Sequence, residues 1–340
     1  MATGRCGSGR ALAPTLATVI PLDGPFYNDL SVGQTLPVQP ALVVDTGIAA
    51  LYQSIFGERL PMSLDPSATE AVTGTSQRLA SPGLVAAIST GQSTTVSRRV
   101  IANLFYRDFR FLRPVELGEA LTTTVTVAAM ADGSSKPGRQ ERGKVLVDVE
   151  TRSGDDLVLT YQRCPMLPSH AAGPLGHNDD LGVVSPLDLA AYLPLVPSDW
   201  DLSALGTPTP WAIGETIVDP MRDVIDNATG LVRMTHNLAM IHRDATMSPY
   251  PTRLVYGGHP LGLAQASLSR VVNGLATVLA WHSCDHVGPA FEGDLLSFRH
   301  TLVDQAPSGA GHVLAVQVEG FAERDESVKI LDWLVVIASP

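Results

Sequence analysis

The chain has 340 residues, 45% of them hydrophobic, and a formal net charge of −11 at pH 7. It is long enough for one large domain or two ordinary ones with full cores. With 23 Lys and Arg against 34 Asp and Glu it is too acidic to favour a nucleic-acid backbone as partner. Three widely separated cysteines, Cys6, Cys164 and Cys284, give neither a disulfide framework nor a zinc spacing and fit a reducing cytoplasm.

From the N-terminus, the first apolar run is Ala11 to Ile20, interrupted by Pro14 and too short to span a bilayer. Arg5 and Arg10 ahead of it give a faint likeness to a secretion signal, but no small-residue cleavage site follows before Pro21, so residues 1–20 read as an arm. No membrane partner is expected.

The remainder reads as a repeat. RLASPG from Arg78 returns in outline as RLVYGG from Arg253, and glycines follow each at the same interval, Gly118 in RPVELGEAL and Gly293 in PAFEGDLL. Upstream, SVGQT around Gly33 pairs with AIGET around Gly214. A first unit therefore spans 21–164 and a second 210–340. Between them, residues 165–209 are rich in Pro, Gly, Asp and Ser with weak periodicity, as in a linker. In the first unit, Leu79 to Ser89 predicts a buried helix, and Leu121 to Ala129, Lys144 to Thr151 and Leu157 to Tyr161 predict antiparallel strands. In the second, Leu261 to Ala280 predicts the helix, and His312 to Glu319 and Lys329 to Ile337 predict strands. The fold class is α+β. One central helix followed by several strands in each unit describes a double hotdog, two units each with an antiparallel sheet wrapped around a helix.

The stretch richest in chemistry is THNLAMIHRDATMSPYPTRLVYGGH, Thr235 to His259. An imidazole is the side chain whose ordinary pKa lies nearest neutrality, so His242 is a candidate general base and acid. Asp244, two positions on, could orient it. Gly257 and Gly258 open the following helix, where free N–H groups favour a developing negative charge and glycine permits close approach. The same residues also fit a structural histidine and a plain turn. His259 at the helix start could face a substrate or cap the helix, while Arg253, Arg243 and Arg233 are candidates for phosphate or carboxylate. His282, Cys284, Asp285 and His286 look superficially like metal ligands, but with no second cluster at ligand spacing a loop is the better reading, and no metal is expected.

This arrangement resembles the MaoC-type (R)-specific enoyl-CoA hydratases, whose pattern is D-x-N-P-x-H-x-D, a loop, then V-H-G into the central helix. His242 and Asp244 match the last two polar positions, and Val255-Tyr256-Gly257 stands at the turn. Asn237 occupies the place of the family's Asp, Ala239 that of its Asn and Tyr256 that of its turn His, so the usual acid–base pair is not intact. An amide orients water but shuttles no proton at neutral pH. Over most of its length the chain is more closely similar to the mesaconyl-CoA hydratases, also called β-methylmalyl-CoA dehydratases, through FYNDLSVGQT, VIANLFYRDFRF, RLVYGGH, NGLA and PAFEGD in one order.

The resemblance implies a hydro-lyase acting reversibly on a short, branched, dicarboxylic enoyl-CoA. His242 would be base and acid, Asn237 would position water, and Asp244, Gly257 and Gly258 would assist; Tyr256, His259, Arg253 and Arg243 would bind substrate. Coenzyme A enters as part of the substrate, no separate cofactor is called for, and a homodimer or higher oligomer is open. In the first unit Ser63 stands opposite His242 and Glu58 opposite Asn237, while the strict offset places Ser67 there instead, so this half is expected to be catalytically silent. It would shape the pocket and support the coenzyme A arm, with Glu58 a solvated or capping carboxylate. A hotdog thioesterase and an inactive acyl-CoA binding protein are the rival readings.

Overall fold

A computed structural model describes residues 22–340, so the expected arm over residues 1–20 and Cys6 lie outside the described residues. Eleven strands form one antiparallel sheet in two mirrored halves. The first half holds β1 (Leu42–Val43), helices α1 (Thr46–Phe56), α2 (Pro61–Leu64), α3 (Pro66–Thr73) and α4 (Pro82–Gln92), then β2 (Ala102–Phe111), β3 (Ala120–Asp132), β4 (Arg142–Ser153) and β5 (Asp156–Pro168). The second holds β6 (Thr216–Val218), β7 (Asp223–Val224), α5 (Ala228–Met234), α6 (Gly258–Val271), β8 (Thr277–His286), β9 (Leu295–Ser308), β10 (Gly311–Glu323) and β11 (Ser327–Ser339). The order β1-β3-β4-β5-β2 meets β8-β11-β10-β9-β6 at the β2–β8 pair.

That pair joins the halves. Its register runs from Phe105 opposite Asp285 to Arg110 opposite Ala280. At its centre Phe109 stacks on Trp281 with ring centroids 3.8 Å apart and on Tyr161 at 4.3 Å. The landmark glycines of the repeat take matching places. The N–H of Gly33 donates to Val127 O at 2.8 Å and that of Gly214 to Leu302 O at 2.7 Å, while Gly118 reaches Val44 O and Gly293 reaches Ile225 O. All four have positive φ.

The strands arise from alternation. Along β3, Leu121, Thr123, Val125 and Val127 are buried while their neighbours are partly exposed, as a pleated strand with one packed face requires. α4 is capped by Ser81, whose hydroxyl accepts the N–H of Gly83, with Pro82 in the first turn. Both α4 and α6 are buried along most of their length, which explains why small and apolar residues prevail in both, and the buried polar side chains among them, such as Ser89, Gln92, Gln265 and Ser267, are hydrogen-bonded. The predicted helix over Leu261 to Ala280 is too long. α6 ends at Val271, Asn273 and Gly274 turn the chain with Gly274 at φ +60°, and Thr277 begins β8. Branched residues at Val271 and Val272 followed by Asn-Gly disfavour continuation.

The connecting segment is a packed strap. Its first residues continue β5 to Pro168. Further on, short 3₁₀ turns present Leu189, Tyr192, Trp200 and Leu202 to Val313, Ala315, Val336 and Ala338. Among the described residues no helix is long and apolar enough to cross a membrane.

Candidate active site

The two halves enclose a cavity of about 270 Å³. The second half contributes Asn237, His242, Tyr256, Gly257 and His286; the first contributes Thr94, Ser97, Tyr106 and Arg163. The loop carrying Asn237 and His242 is fastened to the first half just after α4. The N–H of Leu238 donates to Thr94 Oγ1 at 2.7 Å and that of Met240 to Arg98 O at 2.8 Å.

His242 is half-buried on this wall, and its Nδ1 lies 2.9 Å from the carbonyl oxygen of Leu254. A carbonyl only accepts, so Nδ1 carries the hydrogen and Nε2 keeps its lone pair. Burial lowers the imidazole's pKa to about 4, opposed by the Leu254 hydrogen bond and reinforced by His286, Arg163 and Arg243 nearby. At neutral pH His242 is therefore an uncharged base.

Asn237 is fully buried. Its Oδ1 accepts the N–H of Ala239 at 2.9 Å, which fixes the amide and leaves Nδ2 buried without a partner. Gly257 precedes α6, and its N–H makes no hydrogen bond among the described residues. A Cβ at Gly257 would fall 2.5 Å from Nε2 of His286, so only glycine fits this wall as it stands. His286 Nε2 is itself buried and unpartnered, and burial lowers that imidazole to about 4.

His286 is a residue the sequence reading set aside, and the segment containing it is strand β8 rather than a loop. His282, on the same strand, has both ring nitrogens occupied, by Tyr192 Oη at 2.8 Å and Ser185 O at 2.9 Å. Among the described residues no group of three or more His, Cys, Asp or Glu is placed to hold a metal ion.

Other expected site residues lie elsewhere. Asp244 is exposed and caps the next turn, accepting from Thr246 N at 2.9 Å and Thr246 Oγ1 at 2.8 Å; the Leu254 carbonyl, and not Asp244, orients His242. A short acid just before a 3₁₀ turn is well suited to that cap. His259 is completely buried outside the cavity wall, with Nε2 2.7 Å from Asp226 O and its ring edge-on to Phe56 of α1, so it is packing rather than substrate contact. Gly258 starts α6 beside the Tyr256 ring and does not line the cavity. Tyr256 does line it, yet its hydroxyl is engaged with Thr90 of α4, and its ring lies 5.6 Å from that of His242. Arg243 donates through Nε and Nη2 to the backbone carbonyl of Asn237 at 2.9 and 2.6 Å, bracing the loop. Arg253 is half-buried and reaches Glu292 at 3.5 Å.

The first half retains a counterpart that is nearly filled. A residual space of about 30 Å³ is lined by Ser63, Leu79, Pro82, Val85 and Phe111. Leu79, Pro82, Val85 and Phe111 stand one repeat back from Leu254, Gly257, Pro260 and His286, and Ser63 takes the place of His242 where the loop before Arg78 is longer than its partner. Leu195, Pro197 and Trp200 of the strap close it. Ser63 lines this space and Ser67 does not. Glu58 is neither solvated nor a cap. It is buried in a closed network with Ser81 Oγ at 2.5 Å, Gln265 Nε2 at 2.8 Å and Tyr52 Oη at 3.2 Å, and burial lifts its pKa to about 7.

No family model matches the chain. It is 28% identical over 338 residues to mesaconyl-CoA hydratase of Cereibacter sphaeroides, covering 92% of this chain and 96% of that protein. Among solved structures it superposes on a MaoC domain protein of Chloroflexus aurantiacus with TM-score 0.79 at 22% identity, covering 95% and 99% of the two chains. It also superposes on Rv0216, a conserved hypothetical protein of Mycobacterium tuberculosis with a double hotdog fold, with TM-score 0.85 at 35% identity over 94% and 99%. The chain belongs with Rv0216 to a family of double hotdog proteins.

Proposed function

We propose that the protein is a hydro-lyase that adds water reversibly across the α,β double bond of a short branched enoyl-CoA of the mesaconyl-CoA type. The observation that carries this reading is the state of His242: Nδ1 donated to Leu254, Nε2 free, and the ring uncharged beside a cavity. His242 Nε2 takes a proton from water as the oxygen bonds to the β-carbon. The electron pair of the double bond moves to the thioester oxygen, where the Gly257 N–H opposes the growing charge. The proton returns to the α-carbon, so water is added with nothing left over.

Asn237, with Nδ2 unpartnered, holds the attacking water. His286 is a second group at the oxyanion position beside Gly257. The thioester itself acidifies the α-carbon, so the chemistry calls for no further cofactor. Similarity to mesaconyl-CoA hydratase supports the choice of acyl group.

The test is loss of enoyl absorbance with purified protein on mesaconyl-CoA and crotonyl-CoA, with His242→Ala alongside. Turnover by the wild type and its loss in the variant are expected. Undiminished turnover in His242→Ala would overturn the mechanism, and release of free thiol would favour a thioesterase.

A further inference from the structure

The seam between β2 and β8 sets a strand of each half beside the other half's cavity, and the two halves use that place differently. Tyr106 stands opposite Cys284, and Phe109 opposite Trp281. The interval that separates Arg78 from Arg253 carries Tyr106 onto Trp281 and Phe109 onto Cys284, so the two cross-strand pairs are one pair seen from either half. On its other side Tyr106 pairs with Arg163 of β5, while Trp281 pairs with Val335 of β11. A phenol and a guanidinium thus stand where the second half has an indole and an isopropyl group. Tyr106 and Arg163 line the large cavity, whereas Trp281 and Val335 do not line the nearly filled one.

Tyr106 is 3% exposed, with its ring edge-on to Trp281 at 5.6 Å and to His286 at 6.0 Å. Packing accounts for the ring and not for the hydroxyl. The backbone carbonyl of Tyr106 accepts from Arg107 at 2.9 Å, but its hydroxyl makes no hydrogen bond among the described residues. Burial and the neighbouring Tyr256 push the phenol well above its ordinary pKa, opposed by Arg163, so the hydroxyl keeps its hydrogen at neutral pH. Arg163 is equally buried. It donates to the hydroxyl of Ser97, its Nε has no partner, and no Asp or Glu among the described residues lines the cavity to balance it. A buried cation is costly unless an anion comes to meet it. In thioester hydration that anion exists briefly, on the enolate oxygen, at the wall marked by Gly257 and His286.

We propose that Tyr106 is a catalytic residue supplied by the first half, whose hydroxyl donates a hydrogen bond to the thioester oxygen as the enolate forms, with the Arg163 cation beside it. This rests on the reading of the cavity as a hydro-lyase site. No bond to Tyr106 is made or broken: the proton that His242 takes from water still returns to the α-carbon, and the phenol only shares its hydrogen. A donor already in place in a water-poor site opposes the new charge without having to reorient. The half with serine in place of histidine, silent in its own cavity, therefore acts in its neighbour's.

The test is Tyr106→Phe, which keeps the ring and removes only the oxygen. With mesaconyl-CoA or crotonyl-CoA, whichever the wild type hydrates, kcat should fall by about 10² to 10³, the usual loss for one oxyanion donor, with KM little changed. The melting temperature should stay at the wild-type value, because the hydroxyl bonds to nothing in the fold. A second measurement removes turnover. The same thioester bound to His242→Ala should show, by difference Raman spectroscopy, a carbonyl stretch below that of the free thioester, and adding Tyr106→Phe should move it back toward the free value. An unchanged kcat, a loss confined to KM, a lowered melting temperature or a carbonyl band indifferent to the hydroxyl would overturn the proposal while leaving the hydro-lyase reading in place. If the wild type hydrates neither thioester, that reading falls and the proposal falls with it.

Discussion

His242 and Leu254 are joined by a single hydrogen bond of 2.9 Å, from Nδ1 to a backbone carbonyl, across the loop that both flank. Because the acceptor is a peptide oxygen it cannot change its charge with pH, unlike the carboxylate that often orients a catalytic imidazole. The ring's tautomer is thereby set without adding negative charge to the cavity, and burial is free to pull the pKa down to about 4.

The pH profile follows. A base must be unprotonated to act, and His242 loses its proton on the way up through about 4. The acid limb of kcat/KM for hydration should lie near pH 4, with a plateau through neutrality, and not near the ordinary imidazole value. A limb near pH 6.5 would mean that another group is the base. His242→Ala should reduce kcat by about 10² to 10⁴.

Gly257→Ala meets no backbone penalty, since φ is −58°, but its methyl group would collide with His286. We expect at least about tenfold loss of kcat/KM with a stability cost of about 1–3 kcal/mol, as for an overpacked wall. Adding His286→Ala removes the colliding ring and should return the melting temperature toward wild type. Additive losses of stability in the double variant would show that the two residues do not meet.

Glu58 should shape stability in the opposite sense to an ion-paired acid. Its folded pKa is raised to about 7 from an ordinary 4.5. The folded state therefore holds a proton that the unfolded chain releases between those values, and its contribution is present below pH 4.5 and lost as pH rises toward 7. Glu58→Gln removes this loss. Urea unfolding should find the variant gaining on wild type across that window by an amount of order 3 kcal/mol, whereas a constant difference from pH 4 to 8 would contradict a buried, protonated Glu58.

Trp200→Ala should enlarge the space in the first half at a cost of about 3–5 kcal/mol, the usual range for losing a large buried aromatic. It should not create a second active centre, because Ser63 and Phe111 stand where His242 and His286 stand in the other half. Calorimetric melting checks the first statement and kcat per chain, unchanged from wild type, the second.

The repeat was legible because its glycines sit at turns whose positive φ excludes most other residues, so Gly33, Gly118, Gly214 and Gly293 stand at fixed intervals in the sequence. The convergence of Asn237, His242 and Gly257 was also readable, since one loop and one helix start carry all three. Asp244 misled because a charge two positions from a histidine can as well satisfy the next backbone turn. Arg163 and His286 come from strands far away in the chain, and no local spacing points to them. A signal was present all the same. On β5, Leu159, Tyr161 and Arg163 alternate onto one buried face, and a charge in that series is out of place unless something is to meet it. Likewise His286 holds the repeat position of Phe111.

The antiparallel seam between β2 and β8 has a consequence for how such a molecule can change over time. Where two identical subunits meet about a symmetry axis, each mutation is made twice, and any gain at one cavity is tied to its effect on the other. Here a single chain crosses the seam, so the two copies are inherited separately. One could be surrendered, its entrance stopped by Trp200, while its outer wall went on evolving around its neighbour's cavity.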